Sequence, residues 1–125
     1  MALVDRQMLK SLLSVGVLAI EAGQPVQAQQ LFKAVGRARP ESEAPLVCMA
    51  VALIDAGELD TAIELLQAGA LVVNPHSQLA KTFLGMALKF KGMRYQSQDL
   101  LEEVLREGAD PHAVRIAQDL LAMAA

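Results

Sequence analysis

Few side chains in this sequence are of types that could do chemistry. His76 and His112 each follow a proline, Pro75 and Pro111, where an apolar-periodic stretch begins. An imidazole can bind a metal or carry a proton. A metal site needs several ligands at local spacing, and neither histidine has a Cys or His neighbour. Both read as surface histidines near helix starts, with no metal and no cofactor. Cys48 is the single cysteine and sits in the apolar run 44–54. No cation nearby in sequence would hold it as a thiolate, so it reads as a small core hydrophobe. One cysteine also excludes a disulfide framework and a thiolate zinc site. Glu102, Glu103, Arg106 and Glu107 carry paired carboxylates, but their spacing gives a solvated helix face with an i,i+4 ion pair. There is no Gly-rich phosphate loop, no nucleophile elbow and no HExxH pair. No catalytic residues are expected, and the chain does not read as an enzyme.

Composition narrows the alternatives. The 125 residues carry 11 Lys+Arg against 14 Asp+Glu, a net charge of -3, and 54% are hydrophobic. Such a chain is too apolar and too weakly charged to stay disordered. An acidic balance argues against a nucleic-acid partner, which demands clustered Lys and Arg. Area scaling gives roughly 6,500 Å² of folded surface against roughly 19,000 Å² unfolded, enough burial for a core. Asp5, Arg6 and Lys10 interrupt any signal-peptide apolar region. The cleanest apolar run, 44–54, spans 11 residues, where a membrane span takes about 20. No membrane insertion is expected, and a reducing, cytoplasmic setting suits the free thiol.

The elements that must position these residues come from an internal repeat. Gly23, Gly57 and Gly92 lie 34 and 35 residues apart. Gly16, Ala50 and Gly85 keep the same spacing, as do Ala28, Ala62 and Ser97, and Phe32, Leu66 and Leu101. Each unit closes on a proline: Pro40, Pro75 and Pro111. Within a unit, two apolar-periodic stretches flank a glycine-containing turn. The spacing predicts seven helices, roughly at 4–21, 25–38, 43–56, 59–72, 76–91, 94–107 and 111–123. Ser42, Asn74 and Asp110 are expected N-caps, and Gly23 and Gly57 left-handed helix ends. Alanine and glycine at 16, 28, 50 and 62 mark where paired helices must approach closely.

The period and this order of small, aromatic and proline positions resemble the tetratricopeptide repeat, TPR. Leu12, Gly16, Ala19, Gly23, Ala28, Phe32 and Pro40 fall on that family's marker positions. The usual early aromatics of the first helix are replaced by Leu12, Leu46 and Lys81. The resemblance implies one all-α domain over 1–125, a solenoid with repeats at about 9–42, 43–77 and 78–110. Helix 111–123 would cap its apolar end, with Val114, Ile116, Ala117, Leu120 and Leu121 inward and Arg115, Gln118 and Asp119 wet.

In that family the first helix of each unit lines a concave face. Carried over, the lining is Leu13, Val17 and Ile20, flanked by Lys10 and Glu21. Val47, Val51 and Ile54 follow, with Ala44 and Asp55. Leu79, Thr82, Met86 and Phe90 complete it, with Lys89. Helical spacing alone aligns Leu13, Val17 and Ile20, and likewise Val47, Val51 and Ile54. TPR domains that grip a terminal carboxylate use Lys, Asn and Arg here. This lining is apolar, which suits an amphipathic helix laid along it. Two other readings stand beside that one: an oligomerisation face, and core packing.

Short acidic TPR proteins with such a groove look like the small chaperones of bacterial type III secretion, and the needle-subunit chaperones have about this length. The resemblance implies a cytoplasmic role. The groove would hold the amphipathic helix of a small secreted needle-type subunit and stop premature polymerisation, with a second small helical co-chaperone completing the complex. The longer translocator chaperones of the same system bind an extended segment instead. The alternative is a homo-oligomeric TPR scaffold assembled through the same face or through the last helix.

Overall fold

The computed structural model describes residues 5–123. Asp5 opens the first helix, its side chain accepting the Met8 N–H at 2.8 Å, which satisfies one of the donors a helix start leaves unpaired. Helix α1 then runs Arg6–Glu21 and α2 runs Pro25–Ala38. The pattern repeats with α3, Ala44–Asp55, and α4, 59–73. It repeats again with α5, Gln78–Phe90, and α6, Arg94–Glu107, before α7, Pro111–Ala122. The described residues hold seven helices and no strand.

The turn inside each pair is the same structure three times. Gly23, Gly57 and Gly92 have φ of 78°, 80° and 89°, a region only glycine enters cheaply. The Gly23 N–H donates to Ile20 O at 3.0 Å and the Gln24 N–H to Ala19 O at 2.8 Å. Gly57 with Glu58, and Gly92 with Met93, repeat both bonds. This double bond closes the orphan carbonyls of the helix end.

The starts between pairs differ from the sequence expectation. Asp110 does cap α7, accepting from His112 and Ala113. Asn74 does not cap α5. It ends α4, and its Oδ1 accepts the His76 N–H at 3.0 Å. Ser77 caps α5 instead, accepting from Ala80 at 3.2 Å. Ahead of α3 the capping position is Glu43, whose side chain makes no capping bond and instead accepts from Asn74 Nδ2 at 3.3 Å. Ser42 Oγ accepts the Ala44 N–H at 3.3 Å.

Helix α4 changes geometry in its middle. Leu59–Glu64 is α-helical, Leu65–Ala70 is a π turn, and Leu71–Val73 returns to α. The π turn accommodates one extra residue. In α2 the buried residues are Ala28, Phe32 and Val35, and in α6 they are Ser97, Leu101 and Val104. In α4 they are Ala62, Leu66 and Ala70. The third buried position thus slips by one residue, and the wider turn brings it back to the core.

The helices form two layers. The first helices of the pairs pack side by side, α1 on α3, α3 on α5, and α5 on α7. Each second helix packs on its own partner and on the next first helix: α2 on α3, α4 on α5, α6 on α7. The closest approaches run through the small residues. A side chain at Gly16 would collide with the Phe32 ring, and a Cβ at Gly85 would stand 2.6 Å from Leu101 Cδ2. One apolar cluster joins α3, α4 and α5 around Ala50, Leu66 and Leu84. A second joins α6 and α7 around Leu101, Val104, Ala117 and Leu120. Arg115, Gln118 and Asp119 of α7 are exposed.

Candidate functional site: the first-helix face and its family

The apolar residues expected to line a groove fall into three groups. Thr82 is 0% exposed, and its hydroxyl donates to Gln78 O at 2.8 Å. Val47 is 6% exposed and belongs to the first core cluster. Neither presents a surface to a partner. The reason is the lateral packing of α1, α3 and α5, which closes over the sides of each helix that face its neighbours. Ile54 packs against the first cluster, and Leu79 and Met86 against the second, all three half-buried. The rest lie outside both clusters. Val17 is 40% and Phe90 49% exposed, and Leu13, Ile20 and Val51 are half-buried.

The residues of this set that keep exposed surface therefore lie on α1, α3 and the end of α5. Charged residues flank them: Lys10 and Glu21 on α1, Asp55 on α3 and Lys89 on α5, where Lys89 Nζ donates to Met123 O at 3.3 Å. Such a surface can bury an apolar partner edge.

Elsewhere, burial and ion pairing set the state of two titratable groups, Cys48 and Glu107. Burial pushes the Cys48 thiol up to about 11, so it stays protonated and a poor nucleophile at neutral pH. Lys81 donates to Glu107 at 2.8 Å and lies 3.9 Å from Glu103. That hydrogen bond holds the Glu107 carboxyl below the usual carboxylate range. His76 and His112 are exposed. Among the described residues no group of three or more His, Cys, Asp or Glu is placed to hold a metal ion. No described helix is long and apolar enough to cross a membrane.

Comparison with known proteins places this face in a context. The family model described as bacterial type III secretion protein (HrpB1_HrpK) matches residues 1–125. The chain belongs to that family. Among curated proteins none matches it. Among solved structures it resembles the type III secretion translocator chaperone SycD of Yersinia enterocolitica, with a TM-score of 0.74 and 17% identity over 95% of this chain and 92% of that one. It also resembles the Arabidopsis OM64 TPR domain, with a TM-score of 0.71 and 14% identity over 90% and 93% of the two chains. The first TPR of Spaghetti (RPAP3), solved bound to the HSP90 peptide SRMEEVD, gives a TM-score of 0.74 and 20% identity over 95% and 100%. The HrpB1_HrpK chain is thus an all-helical, TPR-like solenoid.

A second surface of this family member escaped the reading of the sequence. Between α2 and α4, over Met49 and Leu53, lies a depression of about 530 Å³. Gln29 stands at its edge, its Nε2 donating to Met49 O at 3.3 Å while its buried Oε1 has no partner. The available signal was small. Ala68 and Gly69 stand together in a helix whose unit is one residue longer than the first.

Proposed function

We propose that this protein is a non-catalytic type III secretion chaperone of the bacterial cytoplasm. Its first-helix face takes the amphipathic helix of a small secreted, needle-type subunit and keeps that subunit from polymerising early. One observation carries the reading: Val17 and Phe90 are exposed, and Leu13, Ile20 and Val51 only half-buried, on first helices and outside both core clusters. Exposed apolar surface of this kind marks protein contacts, and a helix laid along a groove is the common occupant. Family membership supports the secretion context. The likeness to a translocator chaperone supports the fold. The needle-type subunit rests on the apolar residues expected to line the face, among which stand few of the cations that a terminal carboxylate asks for. A second small helical co-chaperone belongs to the same proposal.

The test is a pull-down from the native cell with mass spectrometry, comparing wild type with Val17→Asp and Val51→Asp. Recovery of one small helical secreted subunit, lost in both variants while their helical content stays intact, is the expected result. A partner set indifferent to the charges overturns the reading.

One observation favours a homo-oligomeric scaffold as the second reading. Met8, Val15 and Leu18 of α1 are exposed, and their spacing puts them on one side of the helix, at the open end of the solenoid. Sedimentation showing a concentration-dependent mass with no foreign ligand would favour it.

A further inference from the structure

The second-helix layer carries two grooves that the repeat makes equivalent. One lies between α2 and α4 over Met49 and Leu53, the other between α4 and α6 over Leu84 and Leu88. Thirty-five residues separate the matching positions, so Thr61, Glu64, Leu65 and Ala68 in the first answer to Gln96, Asp99, Leu100 and Glu103 in the second. The grooves part company where Ala68 stands for Glu103, and where Arg106 lines the second groove and has no charged counterpart in the first. Equivalent architecture with different lining means that the fold does not impose the open apolar floor of the first groove.

The π turn lies on the wall of the first groove. It sets Ala68 and Gly69 together there. A Cβ at Gly69 would meet Leu46 Cδ1 at 3.5 Å and Leu65 Cδ1 at 3.6 Å, ordinary contacts. Packing therefore does not require glycine there, and its smallness leaves the groove wide. Past Met49 and Lys33 the groove continues into a depression of about 590 Å³ over Leu46 and Pro45.

The opposite wall is cationic. Lys33 and Arg37 stand one turn apart on exposed positions of α2, and Arg37 Nε donates to Lys33 O at 3.4 Å. Among the described residues no carboxylate lies within ion-pair distance of either. We propose that the groove between α2 and α4 is a second docking site, for an amphipathic helix of a partner protein whose apolar edge enters over Met49 and Leu53 and whose acidic flank meets Lys33 and Arg37. Complementary charge of this kind sets orientation and on-rate. A second copy fits poorly. The exposed apolar residues of α1 lie on a helix that also carries Arg6 and Lys10, and the exposed face of α6 is polar apart from Tyr95. The site does not depend on what the first-helix face binds.

The experiment titrates the isotope-labelled full chain with a synthetic amphipathic peptide of about five helical turns, Leu and one Trp along one edge and Glu along the flank. A counterpart peptide carries Lys for every Glu. The Glu peptide is expected to shift the amides of Lys33, Met49, Leu65 and Gly69 saturably, and the Lys peptide to bind at least roughly tenfold more weakly. Ala68→Trp fills the groove from an exposed position and abolishes the shifts. Lys33→Glu with Arg37→Glu, both exposed, reverses the preference, and Tyr95→Ala, exposed on α6 and outside the groove, leaves the shifts as they are. The proposal is overturned by no saturable shift, by equal binding of both peptides, by shifts centred on Val51 and Phe90 or on Asp99 and Glu103, or by self-association through Lys33 and Met49.

Discussion

Ser97 Oγ donates to the Gly85 carbonyl oxygen at 2.6 Å, joining α6 to α5 at their closest approach. Gly85 lets the helices meet, and the serine, standing where the earlier units have Ala28 and Ala62, pairs its buried hydroxyl there. Gly85→Ala puts a Cβ 2.6 Å from Leu101 Cδ2, and overpacking of this sort costs about 1–3 kcal/mol. Ser97→Ala removes one hydrogen bond and costs about 1 kcal/mol. Chemical denaturation of both variants checks the order, with Gly85→Ala the more damaging. A Gly85→Ala protein as stable as wild type would mean that Leu101 moves aside freely.

The π turn makes a different kind of prediction. Deleting Gly69 restores the three-residue step that α2 and α6 use between their last two buried positions, and turns 65–70 into ordinary helix. The fold is expected to survive with a loss of about 1 kcal/mol or less, followed by thermal unfolding. The groove between α2 and α4 changes shape at the same time, so peptide binding there falls. An unfolded deletion variant would show that the wide turn supports the core rather than the surface.

Cys48 gives a pH-dependent outcome. Burial holds its thiol at about 11, above the value of an exposed thiol, so the unfolded chain releases this proton first. Its contribution to stability is constant at neutral pH and is lost as pH rises through the unfolded value toward the folded one. Titration of stability from pH 8 upward should fall more steeply for wild type than for Cys48→Ala. Reaction of the folded protein with a thiol reagent at pH 8 should be slow and become fast in denaturant. Fast reaction in the native state would contradict the burial.

Much of the fold was legible in the sequence because backbone requirements leave residue-type marks. Gly23, Gly57 and Gly92 mark left-handed turns, and Gly16 and Gly85 mark close approaches. The helix starts were harder to read. Asn74 and Ser77 are both good caps three residues apart, and Pro75 between them does not begin a helix, so local chemistry alone does not choose. The lining of the first-helix face was legible in helical phase but not in depth. Val47 and Thr82 share the stripe with Val51 and Met86, yet lateral packing buries them, and a one-dimensional pattern carries no distance to the next helix. The groove between α2 and α4 left no one-dimensional mark, and the π turn on its wall shows in the sequence only as one extra residue in the count.

In the proposed function the first-helix face holds a polymerising helix. The most direct measurement is light scattering of a purified needle-type secreted subunit from the same secretion system, alone, with this chain, and with its Val51→Asp variant. The account predicts that equimolar wild-type chain keeps the subunit soluble while the folded variant lets it polymerise as if alone. Polymerisation undiminished by the wild-type chain, or suppressed equally by Val51→Asp, would contradict it.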